Sequence, residues 1–404
     1  MTALSTFPDV ASVLTVDAAA FAHNVSVFRR LAHGARVGGV LKGNAYGHGF
    51  AQVLAAVHDR LDWIFVITPH EGLAVREWER QHGQSACPVL VIGAVSPGAA
   101  VALAQADVAV VAADTSFEAA AAAVKAAGVG PLRVHVHLDT GLSREGFLPE
   151  TLAGSLGFLD AGGDAIVVEG VLTHFADTED VTEQTWARTQ LERFHAGADT
   201  LAAALAARGR PTSLIRHAGA SAAVLVLPDA RLDMVRVGIG LYGLWPSRET
   251  RISARFVLGD VPDLWPTLSW RCPSQLVKTV PAGAYVGYGC THRCRDETRI
   301  AVLPVGYWDG YPRLLSNRAH VLVKGRRCPV LGRVMMNHVI VDITGVPDCG
   351  DSVEATLLGV DGGERVSAED LAEWAQTIHY EIVTRLGEHL TRRVIGLGDP
   401  GLVG

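Results

Sequence analysis

Residues 37–50, VGGVLKGNAYGHGF, decide the fold: a short apolar run, Val37–Leu41, ends at a lysine and opens into a Gly-rich loop. The same kind of run recurs. Asp62–Ile67, Pro88–Ile92, Val108–Val111, Leu132–Leu138, Ala165–Val171, Leu214–His217 and Met234–Val237 are short and rich in Val, Ile and Leu, and longer Ala-rich stretches of helical period separate them. Eight βα repeats between residues 30 and 240 predict a closed (β/α)8 TIM barrel, because the reversal point of an open sheet would usually divide the series.

After Gly243 the pattern changes. Ser274–Val280, Arg299–Pro304, His320–Val323 and His338–Ile343 are aromatic and β-branched and are separated by Gly/Pro turns, so the second half reads as mostly β. Only Ser367–Leu386 reads again as helix, opened by Ser367 with Asp370 three residues on. The expected division is a barrel domain over residues 1–245 and a β-rich domain over 246–404, with residues 1–15 pairing with the second domain. A chain of 404 residues exceeds what one core usually serves, which agrees with two domains.

Composition narrows the function. With 49% hydrophobic and 19% charged residues the chain is that of a folded protein, and a net charge of −7 without any Lys/Arg stripe argues against nucleic acid. The opening stretch MTALSTFPDVASVLTVDAAA has no basic start followed by an apolar run, and no segment reaches the roughly 18 apolar residues of a membrane span. A cytoplasmic protein is expected. Six cysteines form no CxxC, so they read as packed thiols; Cys290 and Cys294 with His292 are a poor metal set, and no metal is expected.

In a barrel, chemistry gathers at the carboxyl ends of the strands. Lys42 stands there. Its amine must pair its charge or lose it on burial, and a free amine attacks aldehydes to give a Schiff base; position alone would equally suit a lysine whose head reaches the rim. The segment VLKGNAYGHG goes further, since it resembles the cofactor-lysine motif of alanine racemases. The resemblance implies that Lys42 carries pyridoxal 5'-phosphate (PLP) and that Tyr46 bonds its phosphate.

Further segments resemble the same family in order and spacing, over residues 10–395. VHVHLDTGLSREGF (134–147) matches a segment whose arginine, here Arg144, binds the substrate carboxylate; the bidentate guanidinium suits that role. Many relatives carry a carbamylated lysine two residues before the matching aspartate, where this chain has His137, so His137, or a water or anion beside it, is expected to position Arg144 without dissolved carbon dioxide. GVLTHFADTED (170–180) supplies His174 beside the cofactor. HAGASAA and MVRVGIGLYG supply Ser221, Gly238 and Ile239 as phosphate contacts, with Ala220 where relatives more often have Asn. The resemblance sets Arg236 against the pyridine nitrogen. An arginine there donates a hydrogen bond without giving up its proton, which disfavours side reactions; without that context Arg236 would read as a partner of Asp233.

Residues 284–345 resemble the family's C-terminal domain throughout. Tyr288, in VGYG, matches the second catalytic base, opposite Lys42, and in the family it comes from the other subunit, which implies a homodimer with shared sites. The resemblance also implies Tyr307 at the site entrance, Met336 near the substrate carboxylate, and Tyr380 at the phosphate; Asn337 stands where many relatives have Asp. The implied activity is PLP-dependent interconversion of L- and D-alanine, supplying D-alanine for peptidoglycan. Serine, lysine or a broader range are alternative substrates. A PLP-dependent decarboxylase of similar plan would carry a glutamate where Arg236 stands, and a PLP-binding barrel without turnover would lack the β-domain that holds Tyr288.

Overall fold

The computed structural model describes residues 12–179 and 183–397. The chain divides into two compact units, residues 20–42 with 57–266, and residues 43–56 with 267 onward and the N-terminal segment through Ala19.

The first unit is the barrel. A strand of the second unit, β1 (Val13–Asp17), precedes it in the chain. The barrel strands are β2 (Arg36–Val40), β3 (Trp63–Val66), β4 (Val89–Val91), β5 (Ala109–Ala112), β6 (Leu132–His137), β7 (Ile166–Leu172), β8 (Ile215–His217) and β9 (Met234–Val237). Each pairs in parallel with its sequential neighbour through β8, and β9 pairs with β2. The seam between β8 and β9 is closed by Asp233 N–H to Arg216 O (3.1 Å) and Arg236 N–H to Gly219 O (2.9 Å). Most strand residues are buried, as expected where helices cover one face and the opposite strands the other.

One barrel-unit helix departs from the sequence reading. Arg248–Leu258 is helical and starts at Ser247, whose hydroxyl accepts from Thr250 N–H at 3.0 Å. The apolar period misleads here because the inward face is Thr250, Ser253 and Ala254, while Ile252, Phe256 and Val257 are exposed.

The second unit is mostly strand. Its larger sheet runs Arg326–Pro329, His320–Val323, Glu354–Asp361, Leu268–Pro273, β1 and Thr391–Ile395, with Glu364–Val366 against Glu354–Asp361. β1 is antiparallel to Leu268–Pro273 and parallel to Thr391–Ile395, so the start and end of the described chain share one sheet. The part of the expected pairing that involves residues 1–11 lies outside the described residues. A second sheet joins Leu276–Val280, Thr298–Leu303 and Val339–Asp342 in antiparallel register. Cys294 packs with Val286, Ile300 and Leu331 in an apolar cluster, while Cys290 is exposed.

The helix expected over Ser367–Leu386 is two helices, Ala368–Ala375 and His379–Thr384. Its start is as read: Ser367 accepts from Asp370 N–H and the Asp370 carboxylate accepts from Ser367 N–H. The break comes at Gln376, which has φ 56°; its N–H bonds Glu373 O and that of Thr377 bonds Ala372 O, the double closure of a Schellman terminus. Among the described residues no helix is long and apolar enough to cross a membrane.

Candidate active site

The chain leaves β2 through Leu41, whose N–H bonds Phe65 O at 2.8 Å, and reaches Lys42. The turn beyond Lys42 is strained. Gly43, Asn44, Ala45, Tyr46 and Gly47 all have φ between 52° and 78°, a left-handed turn in which each non-Gly residue costs about 1–2 kcal/mol. Local bonds hold it: Gly49 N–H to Asn44 O (3.0 Å), Phe50 N–H to Asn44 Oδ1 (2.8 Å), and the Arg392 guanidinium to Gly47 O (2.9 Å). Gly47 is required twice over, since its φ is 78° and a Cβ there would overlap the Val383 carbonyl. Stored strain of this kind clusters at functional sites.

The expected site residues fall in two sets, one in each unit. In the barrel, Lys42, Arg144, His174 and Arg236 act on one another. Burial and then the Arg144 charge hold the Lys42 amine below its usual range, which favours the free base. Arg236 is buried at the end of β9 and its terminal nitrogens are fully engaged. Nη1 donates to His217 O (2.8 Å) and His217 Nδ1 (3.1 Å); Nη2 donates to Thr173 O (2.7 Å), Ala218 O (3.0 Å) and His174 Nδ1 (3.3 Å). Asp233 instead accepts from Arg216 N–H, so Arg236 is not its partner. The Arg236 Nε–H has no protein acceptor among the described residues, and the group is pushed down only to about 10, so it stays cationic.

Because Arg236 only donates, His174 Nδ1 is an acceptor and its proton sits on Nε2. Burial, with Arg236 next, pushes His174 down to about 3; the same causes push His137 down to about 3. Both are neutral at physiological pH. His137 is buried and makes no hydrogen bond to Arg144 among the described residues; the exposed Arg144 guanidinium pairs with Glu145 at 3.0 Å. The Ser221 hydroxyl accepts from Gly238 N–H (2.9 Å) and Gly240 N–H (3.3 Å), beside Ile239, so small groups converge just past β9.

In the second unit, Tyr46 lies against Tyr380 with ring centroids 6.4 Å apart, and burial pushes its phenol up to about 12. Tyr288, Tyr307 and Met336 line one cavity of about 310 Å³ together with Arg313, Arg333 and Asn337. All three are exposed, Tyr288 the most, at 71%.

Sequence reading passed over three barrel residues that touch this arrangement: His217, His135 and Glu169. A signal was present. His135 and His137 are two apart on β6, so both face one side, and two imidazoles on the apolar interior of a barrel strand need a polar partner.

A closed barrel whose strand ends gather an amine, two guanidinium groups and a neutral imidazole, followed by a mostly-β domain, defines a class of two-domain barrel enzyme. Residues 16–246 match the alanine racemase N-terminal domain and residues 267–394 the alanine racemase C-terminal domain. The alanine racemase of Symbiobacterium thermophilum is 40% identical over 383 residues, 93% of this chain and 95% of that protein; that of Leptospira interrogans serovar Lai is 35% identical over 88% of each. The crystal structure of alanine racemase from D-cycloserine-producing Streptomyces lavendulae superposes with a TM-score of 0.83 at 33% identity, covering 96% of this chain and 98% of that one. The Bacillus anthracis enzyme with bound L-Ala-P gives 0.85 at 29%, covering 98% and 97%. The chain belongs to the alanine racemase family, a family of isomerases. A histidine racemase from Leuconostoc mesenteroides shares the fold at 24% identity with a TM-score of 0.82, so the fold by itself does not select the side chain.

Proposed function

We infer that this chain interconverts L-alanine and D-alanine with PLP as cofactor and with Lys42 and Tyr288 as the two bases. The observation that carries the reading is Arg236. Its terminal nitrogens are spent on protein acceptors while its Nε–H has none among the described residues, which fits a neutral ring nitrogen as the acceptor. The other groups suit the cofactor as well: a lysine held toward its free amine, a hydroxyl and backbone N–H groups at Ser221, Gly238 and Ile239 for a phosphate, and Tyr46 with Tyr380 as phenol donors.

When bound, PLP supplies a carbonyl that captures the substrate amine and an electron sink that acidifies the α-carbon. The protein does the rest. Arg144 pairs with the substrate carboxylate, with Met336 beside it and Tyr307 at the entrance. Lys42 takes or returns a proton on one face of the α-carbon and the Tyr288 hydroxyl serves the other, the geometry that inversion requires. Arg236 donates to the ring nitrogen without protonating it, and His174 supports it from Nδ1. That same guanidinium argues against a decarboxylase, where a glutamate would stand.

Residues 1–245 are the PLP-binding part and 246–404 bring the second base. We place Tyr288 in the site of a partner subunit, a role its 71% exposure leaves it open to fill. The cellular role is cytoplasmic supply of D-alanine for peptidoglycan. The test is reductive trapping: borohydride treatment of PLP-loaded protein, then peptide mapping, with D-alanine production measured in parallel. Label on Lys42 with D-alanine formed from L-alanine supports the reading; label on Lys125, Lys278 or Lys324 instead overturns it.

A further inference from the structure

Beyond Arg236, a line of polar side chains continues through the barrel interior. Arg236 Nη1 donates to His217 Nδ1 at 3.1 Å, and His217 Nε2 lies 2.8 Å from His135 Nδ1. The outer nitrogen of His135, Nε2, is 3.7 Å from Glu169 Oε2 and has no hydrogen-bond partner among the described residues. Arg133 Nη1 lies 3.4 Å from both Glu169 oxygens, and its Nε donates to Asp107 at 3.0 Å. His135 and His217 are fully buried, in a core where His135 also meets the edge of Trp63 and His217 packs on Phe65. Space for the imidazole is cleared by Gly170 of β7, where a Cβ would overlap the His135 ring.

This line has only one self-consistent direction. A guanidinium cannot accept, so His217 Nδ1 must, and the His217 proton sits on Nε2. That proton points at His135 Nδ1, which therefore accepts, and the His135 proton sits on Nε2, aimed at the Glu169 carboxylate. Burial lowers both imidazoles, His217 well below its ordinary range. The opposite order would set an N–H of His217 against an N–H of Arg236 in the buried interior, two donors facing each other.

We propose that Glu169 and His135 are positioning residues that act through His217 on Arg236, fixing the direction of this hydrogen-bond line so that the guanidinium is held by its terminal nitrogens with Nε–H presented outward. The part that concerns PLP rests on the proposed role of Arg236; the tautomer order does not. Neither residue touches substrate or cofactor. Both lie on strands, β6 and β7, so their placement is set by the rigid barrel.

The test begins with the full chain without added cofactor, using 15N-labelled histidine and signals assigned through His135→Asn and His217→Asn. Both rings are expected as the Nε2–H tautomer, unchanged from pH 6 to 9; an Nδ1–H tautomer or an imidazolium at either ring overturns the proposal. Glu169→Gln provides the second arm. Its carboxamide oxygen still accepts from His135 Nε2–H, so both tautomers are expected to stay, but the charge at the end of the line is lost and PLP affinity by equilibrium dialysis is expected to weaken about tenfold, the worth of one charge-assisted hydrogen bond. Glu169→Asp should restore the affinity. Unchanged affinity in a folded Glu169→Gln protein overturns the proposal. If both rings show the Nε2–H tautomer while neither protein binds PLP, the relay stands and the cofactor reading of Arg236 fails.

Discussion

Arg236 and His137 are sealed within the barrel, with Lys42 and His174 partly buried beside them, whereas Tyr288, Tyr307 and Met336 lie open on the β-rich unit. The difference shows in the chemistry. Burial lowers Lys42, His137 and His174, and the fixed donor Arg236 dictates a tautomer; the barrel alone sets the protonation states of its groups. Among the described residues nothing encloses Tyr288 in the same way. One half of the site is tuned by folding, and the other, in this reading, by assembly.

Lys42→Ala tests the buried half most severely. It should abolish racemisation by about 10⁴-fold or more, since anchor and base go together, with the fold intact by circular dichroism. Tyr288→Phe removes one hydroxyl from an exposed ring and should cost about 10²- to 10³-fold in kcat, with thermal stability unchanged. A drop in melting temperature that does not vary with protein concentration would instead mean that Tyr288 packs within its own subunit.

Acid should expose the buried half through stability. The ordinary histidine value is 6.5, and burial holds His48 at about 4 and His137 and His174 at about 3, so below pH 6.5 the unfolded chain binds protons that the folded one refuses. Stability must therefore fall as pH drops from 6.5 toward 3. Each such histidine contributes a slope of about 1.4 kcal/mol per pH unit in that window. Denaturant unfolding at pH 7.5 and 5 should show this, and His137→Gln should remove one histidine's share of the slope. The smallest effect expected is none: because His137 is a neutral imidazole and no lysine stands there, kinetics in bicarbonate-free buffer should match those with bicarbonate. Restoration of lost activity by bicarbonate would show that a carbamate forms elsewhere.

The barrel was legible because its strands are short apolar runs at even spacing, and all eight fall within two residues of where the pattern sets their ends. Lys42, Arg144 and Arg236 stood out because each sits in a dense local motif. His217 and His135 did not, since their partnership joins positions 82 apart and depends on how β6 and β8 face across the barrel interior. The helix Arg248–Leu258 was hidden by a small, polar buried face. The break at Gln376 was hidden for a different reason: glutamine is not a residue that advertises a left-handed conformation.

Racemisation in this reading depends on two bases on opposite faces of the α-carbon, one removing the α-proton and the other delivering a different proton. Its most direct measurement is incubation with L-alanine in deuterium oxide, following optical rotation and loss of the α-proton, with L-serine and L-lysine alongside. Loss of rotation together with deuterium incorporation is expected for alanine; exchange that leaves the rotation intact would mean that a single base works and that Tyr288 is not the second.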